Sequence, residues 1–528
     1  MMKRRHLMAG AAGLAAALHA PRLRGQGARL LRFRPNNDLS IVDPIWSTAF
    51  VVRHHGNAVF DTLYGMDNRL NPQPQMVAGH VVEQDGLVWR LTLREGLRFH
   101  DGEPVLARDC VASIRRWGTV DAFGQTLMAA TEELSAPADR EIRFRLRKPF
   151  PMLPHALGKA NTFMPCIMPE RLANTPAGRQ VTEVIGSGPY RFLANERVAG
   201  SRVFYERFAG YVPREGRPEF TSGPKIAHFD RLEWVILPDH ATAAGALRTG
   251  EIDWYDDPLL DLIATLRRDR RVVVDDYNPA GMMGIVRFNH LHPPFDKPAV
   301  RRAAMGAIDQ ATIMQAVAGA GRDMWNDRVG VFVPESPMAN DAGIEAMARP
   351  RDLDRSRREL EAAGYAGERV VFLTAPPSQN INTQAEVASD MLRRAGMNVE
   401  LVALDFGTWQ QRRNRREPPA EGGWSVLTTF LPGMELWDPA GHLGLRGNGA
   451  AAWSGWPTSA RLEALRDRWF ETADPAARNA MGRDFQLAAF EDVPYVPAGR
   501  WKQPTAYRQG IVDVPRHMPL FYTLRRST

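Results

Sequence analysis

The chain has 528 residues, of which 44% are hydrophobic and 24% charged. That composition excludes wholesale disorder, and the length predicts two or three domains because one hydrophobic core cannot serve so long a chain. Five basic residues and no acidic residue lie in residues 1–28, so the formal net charge of +7 falls to +2 for the remainder. A remainder so close to neutral has no electrostatic footprint for nucleic acid, and we expect no such partner.

The first 28 residues have the pattern of an export signal. Lys3-Arg4-Arg5 is a charged start, and the apolar run 7–18 is too short to span a bilayer comfortably. The pair Arg4-Arg5 resembles a twin-arginine signal, with cleavage after Ala20 or near Gly27-Ala28. The alternative, a buried N-terminal helix, is disfavoured because the segment has no polar face. No later stretch is apolar enough for a transmembrane helix, so we expect a periplasmic chain that is soluble or peripherally held.

The next elements predict a mixed α/β unit over residues 56–185. Alternating apolar residues predict strands at 87–93 and 142–146, and helical spacing predicts a helix over 105–117. Cys110 lies in this helical pattern, where a buried thiol is the ordinary interpretation. A disulfide with Cys166 in an oxidising compartment stays open.

Two further units follow the strand–helix–strand order of parallel sheets. In the first, a strand at 231–237, a helix ending at Gly250 and an extended segment at 252–255 predict a parallel pair with a right-handed crossover. The second predicts an α/β domain over about 272–490, with its elements at 370–373, 383–395, 398–404, 406–416 and 424–430. Asp474-Pro475 predicts an N-cap with proline at the first helical position.

No catalytic motif emerges from the sequence. A zinc-protease helix motif, a nucleophile elbow, a phosphate-binding glycine loop and paired C-x-x-C motifs are all missing, so we expect no enzyme activity and no cofactor. The pairs His290/His292 and His54/His55 have spacings that could serve a metal, but no further ligands can be named. We therefore interpret these histidines as structural and expect no metal. The basic run 412–416 is interpreted as a solvated helix end.

Several motifs, in order along the chain, resemble the family 5 extracellular solute-binding proteins of ABC importers. Residues 91–104 have the sequence LTLREGLRFHDGEP, and residues 186–190 have GSGPY. Other matching segments are Phe288-Asn289, Pro293–Phe295, Val300–Ala303 and Ala307–Asp309, with Asp43-Pro44 near the start and Pro494–Pro497 near the end. A single such motif is weak evidence, whereas the ordered set is specific.

The resemblance implies an α/β, two-lobed periplasmic-binding-protein-like fold of the class II type, with an extra domain and a ligand cleft between the lobes. It implies a discontinuous domain I of residues 29–55, 186–271 and 497–528, a domain II of 56–185 and a domain III of 272–496. The implied function is capture of a peptide or peptide-like solute by hinge closure and delivery to a membrane permease. We expect a monomer.

The resemblance also implies ligand-binding positions. Peptide-binding members hold the ligand's α-ammonium with a carboxylate three residues before an acid–proline pair. Here that pair is Asp438-Pro439, so the position falls on Glu435, where the family commonly has aspartate. The other implied ligand-binding residues are Thr48, Ala49, Phe50, Trp409, Gly433, Met434, Asn448 and Trp453, with Trp46, Phe430 and Trp437 as weaker candidates.

Two points stay open at the sequence level. No partner for a ligand carboxylate can be placed, although Arg412, Arg413, Arg415 and Arg416 are close to the implied site in sequence. The ligand class is therefore open as well: a metal chelate, an opine, an oligosaccharide or an aromatic compound are alternatives to a peptide. A secreted hydrolase is the remote alternative.

Overall fold

The computed structural model describes residues 29–176, 178–348, 352–376 and 378–527. The predicted export signal at 1–28 lies outside the described residues.

The strands follow in chain order. They are β1 (Leu30–Arg34), β2 (Tyr64–Met66), β3 (Pro72–Pro74), β4 (Val77–Glu83), β5 (Val88–Leu93), β6 (Thr131–Ala138), β7 (Glu141–Leu146), β8 (Tyr190–Phe192), β9 (Arg202–Arg207), β10 (Arg231–Val235), β11 (Trp254–Tyr255), β12 (Val272–Asp275), β13 (Met282–Phe288), β14 (Trp325–Asn326), β15 (Arg369–Thr374), β16 (Asn398–Ala403), β17 (Val426–Pro432), β18 (Val496–Trp501), β19 (Thr505–Arg508), β20 (Ile511–Val512) and β21 (Arg525–Arg526).

The helices are α1 (Phe50–Val59), α2 (Ala107–Trp117), α3 (Ala122–Ala130), α4 (Leu153–Leu157), α5 (Glu170–Ala173), α6 (His240–Thr249), α7 (Leu260–Arg268), α8 (Pro298–Ala307), α9 (Gln310–Ala318), α10 (Glu345–Ala348), α11 (Leu353–Ala362), α12 (Gln379–Arg394), α13 (Phe406–Arg413), α14 (Ala460–Glu471), α15 (Pro475–Ala480) and α16 (Gly482–Asp492).

The first lobe contains a seven-stranded and a four-stranded sheet. The larger sheet has the order β12-β19-β11-β1-β10-β9-β8, and the smaller one has the antiparallel order β4-β5-β7-β6. The strands predicted at 87–93 and 142–146 and the helix predicted at 105–117 are confirmed as β5, β7 and α2. A buried ion pair between Lys225 Nζ and Asp61 Oδ1 at 2.8 Å joins the segment before β10 to the segment after α1.

The unit at 231–255 differs from the prediction in one respect. Helix α6 is capped by the Asp239 side chain, which accepts from the Thr242 N–H, and it ends at Gly250 with φ of 87°. Strands β10 and β11 are parallel as expected, but β1 from the chain start lies between them and pairs with both. The predicted neighbouring pair is therefore wrong, because the middle position is filled by a strand about 200 residues distant.

The second lobe is built on a six-stranded sheet with the order β14-β18-β13-β17-β15-β16. Here the parallel arrangement predicted for the strands at 370–373, 398–404 and 424–430 is confirmed: β15 pairs in parallel with both β16 and β17. Asp474 caps α15 through the N–H groups of Ala476 and Ala477, with Pro475 in the first turn. The chain crosses between the lobes twice, at 276–281 and at 502–504, because β12 and β19 belong to the first sheet whereas β13 and β18 belong to the second.

These pairings bear on the predicted domain boundaries. Residues 272–275, expected to open domain III, form β12 and pair with β19 in the seven-stranded sheet. Residues 497–501, expected in domain I, lie in β18 and pair with β13 in the second lobe. We therefore propose that the crossing points fall after Asp275 and after Trp501. Both differences arise from long-range strand pairing, which local sequence patterns do not encode.

Two smaller expectations are resolved in the fold. Cys110 and Cys166 are buried free thiols. The basic run at the end of α13 is only partly solvated: Arg412 Nη2 donates to the Gly423 carbonyl at 3.0 Å, and the Arg413 guanidinium lies 5.3 Å from the Trp409 ring centre. Among the described residues, no helix combines the length and apolar character needed to cross a membrane.

Candidate functional site

The lobes face each other at a short 3₁₀ helix, Gly433–Leu436, that directly follows the central strand β17. A Cβ at Gly433 would lie 2.3 Å from the Ala280 carbonyl oxygen, so only glycine allows this close turn against the crossing segment. The turn carries Met434 and Glu435, both buried. A strand end in a rigid sheet thus presents a carboxylate to the opposite lobe.

Helix α1 supplies the opposing surface from the first lobe. Ala49 precedes it in an extended conformation, and every residue from Val51 to Val59 is buried. Its apolar residues pack on the seven-stranded sheet, beside Phe33 and Trp234. Because the helix is enclosed on all sides, its charged side chain Arg53 is held in an interior position where charges are normally paired.

Arg53 and Glu435 meet across the two lobes. Arg53 Nη1 lies 4.0 Å from Glu435 Oε1, with the side chains 5% and 3% exposed. Neither Nε nor Nη1 of Arg53, nor Oε1 of Glu435, has a hydrogen-bond partner among the described residues. The guanidinium also lies 4.9 Å from the centre of the Phe50 ring. The two charges attract, but their separation exceeds the 2.7–2.9 Å of a charge-assisted hydrogen bond.

A second cation supports the negative charge of Glu435. Lys159 forms a close ion pair with Asp121, and its Nζ donates to the Thr162 carbonyl at 2.5 Å. Burial raises the pKa of Glu435, while the charges of Arg53 and Lys159 oppose that rise. Burial therefore has the larger effect on the pKa of Glu435, although both cations favour its ionised form.

A further buried carboxyl, Asp256, lies next to α1 at the end of β11. Its Oδ1 accepts from the Tyr277 hydroxyl at 3.3 Å, and its Oδ2 lies 3.7 Å from Nδ1 of His54. Burial, with the adjacent Asp257 adding to it, raises the pKa of Asp256. Burial also lowers the pKa of His54, which keeps the imidazole neutral. Asp256 is thus a weak partner for Arg53 at neutral pH.

A cavity of about 60 Å³ adjoins Met434 at the lobe interface. Its walls combine apolar side chains from both lobes with the polar His155, Lys159, Asn161 and Asp438. Asn161 is also nearly buried, and its Oδ1 has no partner among the described residues. Polar atoms of this kind, directed into a mostly apolar cavity, are typical of small-molecule sites.

The sequence-predicted residues fall into two groups. Ala49, Phe50, Gly433, Met434 and Glu435 lie at the facing surfaces just described, while Thr48, next to Ala49, is exposed. Of the weaker candidates, Trp437 lines the cavity beside Met434.

Trp409, Trp453 and Asn448 belong to a different part of the second lobe. Trp409 is buried in a cluster with Trp424 and Trp456. Trp453 is half-buried, with the guanidinium groups of Arg287 and Arg413 at 5.0 and 5.7 Å from its ring centre. Asn448 forms an isolated antiparallel β-bridge with Thr458. Phe430 packs edge-on against Trp501 at 5.4 Å, and Trp46 is half-buried.

Sequence reasoning missed Arg53, Lys159, Asn161 and Asp256. One signal was present for Arg53. It lies three residues after Phe50 in the largely apolar sequence FVVRHHGNAV, and a helix with this sequence that is buried must bury the arginine as well. Lys159 and Asn161 lie in an irregular segment after α4 and had no such signal. Their role depends on the opposing lobe.

The histidine pairs do not form a metal centre in the part of the chain that the structure describes. No three His, Cys, Asp or Glu side chains converge there in a way that could hold a metal ion. His292 Nε2 lies 2.7 Å from the Arg416 carbonyl oxygen, and His55 Nδ1 lies 3.0 Å from the Tyr205 hydroxyl. Both are held by structural contacts.

The chain is similar in sequence to several known proteins. The model of the bacterial extracellular solute-binding proteins, family 5 middle region, matches residues 71–433. A probable peptide ABC transporter periplasmic-binding protein of Sinorhizobium fredii is 34% identical over 534 residues, covering 100% of both chains. The glutathione-binding protein of Salmonella typhi is 24% identical over 515 residues, covering 93% of this chain and 92% of the relative.

Solved structures have the same fold. A periplasmic binding protein in complex with agropinic acid from A. tumefaciens R10 has a TM-score of 0.79 at 19% identity, covering 94% of this chain and 99% of that one. The periplasmic binding protein DppA of Helicobacter pylori, in complex with the peptide STSA, has a TM-score of 0.78 at 20% identity, covering 94% and 98%. The chain therefore belongs to the family 5 bacterial extracellular solute-binding proteins and has their two-lobed α/β fold.

Proposed function

We propose that this protein is the periplasmic solute-binding component of an ABC importer and that it binds a peptide or peptide-like solute between its lobes. It is exported by its N-terminal segment, of the twin-arginine type, acts as a monomer, delivers the solute to a membrane permease and carries out no covalent chemistry. Support comes from the family and from the Sinorhizobium fredii relative, which is matched over its full length.

The observation that carries the proposal is the placement of Glu435. It is a buried carboxylate, on a strand end of one lobe, facing the other lobe. An ammonium group entering between the lobes would give Oε1 the hydrogen-bond partner that it lacks among the described residues. The extra methylene relative to aspartate lets the carboxylate extend toward the first lobe.

The remaining predicted residues receive roles in the same proposal. Gly433 allows the close turn, and Met434 with Phe50 provides apolar contact beside the ammonium. Trp453, which has two guanidinium groups near its ring, contacts the far end of a longer ligand. Asn448, whose buried Oδ1 lacks a partner among the described residues, contacts it as well. Trp409 supports that end through Arg413, and Thr48 with Ala49 forms the rim.

Isothermal titration against a library of dipeptides and oligopeptides tests the proposal. At least one peptide should bind, and Glu435→Gln should weaken its binding by roughly 10- to 100-fold, because a charge-assisted bond contributes about 1.5–3 kcal/mol. Glu421→Gln, an exposed glutamate on the same lobe, is the matched control and should leave affinity unchanged. No binding by any peptide would refute the proposal, and native mass spectrometry would then identify a non-peptide solute carried by the protein.

A further inference from the structure

Arg53 and Arg287 are both buried, but their guanidinium groups differ in how far they are hydrogen-bonded. Arg287, fully buried at the base of the second lobe, donates to the carbonyls of Gly444, Trp453, Ser454 and Pro494 at 2.8–3.1 Å. Those bonds offset the cost of desolvating its charge. Arg53 is similarly enclosed, yet its Nε and Nη1 have no partner among the described residues. These two nitrogens therefore lack the bonds that offset the desolvation of Arg287.

The anions nearest to Arg53 do not complete its bonding. Glu435 is 4.0 Å away, beyond hydrogen-bond distance. Asp256 is favoured in its protonated form by burial, and its oxygens already face Tyr277 and His54. An incoming carboxylate would provide a full negative charge at hydrogen-bond distance, which neither side chain does.

The separation of Arg53 and Glu435 restricts where a ligand's two charges can lie. The guanidinium and the carboxylate are only 4.0 Å apart, and they come from opposite lobes. A ligand that engages both must carry its ammonium and its carboxylate close together. The α-amino-acid head group does so, because both groups are bonded to one carbon. The ordinary N-terminus of a peptide carries an amide carbonyl at that place and would leave Arg53 without an anion.

We infer that Arg53 and Glu435 together form a subsite for a free α-amino-acid head group, with the ligand's carboxylate on Arg53 and its ammonium on Glu435. This inference rests on the proposed function and narrows its substrate class to peptide-like solutes joined through a side chain, such as γ-linked glutamyl compounds. The adjoining cavity beside Met434, of about 60 Å³, accepts the start of the attached group. The pair also explains how closure is coupled to binding, since each lobe contributes one charge.

Two isomeric dipeptides test the inference directly. γ-L-glutamyl-glycine has the free head group, whereas α-L-glutamyl-glycine has the same atoms and net charge but an ordinary N-terminus. In titration calorimetry with the full mature protein, the γ isomer should bind at least about 10-fold more tightly. Arg53→Gln should weaken γ binding by roughly 10- to 100-fold and change α binding little. Arg53→Lys should restore part of the loss, because it keeps the charge but not the guanidinium.

Controls separate the possible failures. Arg108→Gln, on the exposed side of α2, should leave both affinities unchanged, and thermal melts should show that every variant is folded. If α-linked peptides bind as well as the γ isomer, or if the γ preference survives Arg53→Gln, the subsite is wrong while the proposed function stands. If neither isomer nor any library peptide binds, the proposed function itself fails.

Discussion

Two of the buried arginines in the first lobe, Arg116 and Arg53, differ in how they are paired. Arg116 on α2 binds both oxygens of Asp43, at 3.2 and 2.7 Å, and it also donates to the carbonyls of Thr175 and Arg179. Asp43 in turn accepts from the backbone N–H groups of Ile45 and Val181. Arg53 on α1 instead faces Glu435 of the opposite lobe at 4.0 Å, beyond hydrogen-bond distance.

The difference shows that burial of a charge does not by itself mark a site. The Arg116–Asp43 pair is complete within one lobe, so it fixes the loop before α1 to α2. The Arg53–Glu435 pair is incomplete and spans the boundary between the two lobes, where the ligand is proposed to bind. These two pairs are both buried and differ in how completely their charged groups are hydrogen-bonded. Hydrogen bonding, rather than burial, therefore separates a structural ion pair from one that can bind a ligand.

The largest expected effect is on the complete pair. Arg116→Met should lower the free energy of unfolding by about 3–5 kcal/mol, because it leaves the carboxylate of Asp43 buried without its cation. Urea denaturation followed by circular dichroism would measure this. Arg108→Met, on the exposed side of the same helix, should change it by less than about 0.5 kcal/mol.

Urea denaturation of Glu435→Gln tests whether the Arg53–Glu435 pair differs from the Arg116–Asp43 pair in its contribution to stability. This variant should cost far less than Arg116→Met, since Glu435 Oε1 makes no hydrogen bond among the described residues. An equal loss of stability in the two variants would show that the cross-lobe pair is structural as well.

An intermediate effect concerns pH. The pKa of Asp256 is raised above its ordinary value of about 4 by burial and by Asp257. At a pH between the ordinary pKa of the unfolded chain and the raised pKa of the folded protein, folded Asp256 holds a proton that the unfolded chain has lost. The free energy of unfolding therefore falls as pH rises through this range. The slope due to one such group is at most about 1.4 kcal/mol per pH unit.

Asp256→Asn should flatten this dependence, because the amide cannot titrate and keeps the shape of the protonated acid. Denaturation at a series of pH values from about 4 to 8 would compare the two slopes. Identical slopes would mean that Asp256 is ionised and already neutralises Arg53, which would weaken the contrast between the two arginines.

The smallest effect is expected at the outer rim, where the lobes also touch. Lys148 Nζ lies 2.6 Å from Glu471 Oε1, with both side chains about half exposed. Phe470 stacks on Phe150 at 5.5 Å beside this pair. Lys148→Gln should change stability by less than about 1 kcal/mol, and the difference should shrink in high salt. A double-mutant cycle with Glu471→Gln gives the coupling free energy between the two side chains. A coupling free energy as large as the stability lost in Arg116→Met would contradict the view that exposure to solvent weakens this ion pair.

Much of the fold was accessible from local patterns. Alternation along 87–93 and helical spacing over 105–117 identified β5 and α2, and Gly250 marked the end of α6. The ordered motifs identified the family, and the acid–proline pair led to Glu435. Each of these features depends on residues close together in the chain, which is why one sequence was enough to find them.

Tertiary structure decided what depends on distant residues. The insertion of β1 between β10 and β11, and the assignment of β12 and β18 to their sheets, follow from hydrogen bonds between strands far apart in sequence. The approach of Arg53 to Glu435 likewise joins residues of opposite lobes. The sequence by itself determined the family, most elements and the anionic position. The arginine that faces Glu435 emerged only from the folded lobes, because no local pattern encodes which buried charges face each other.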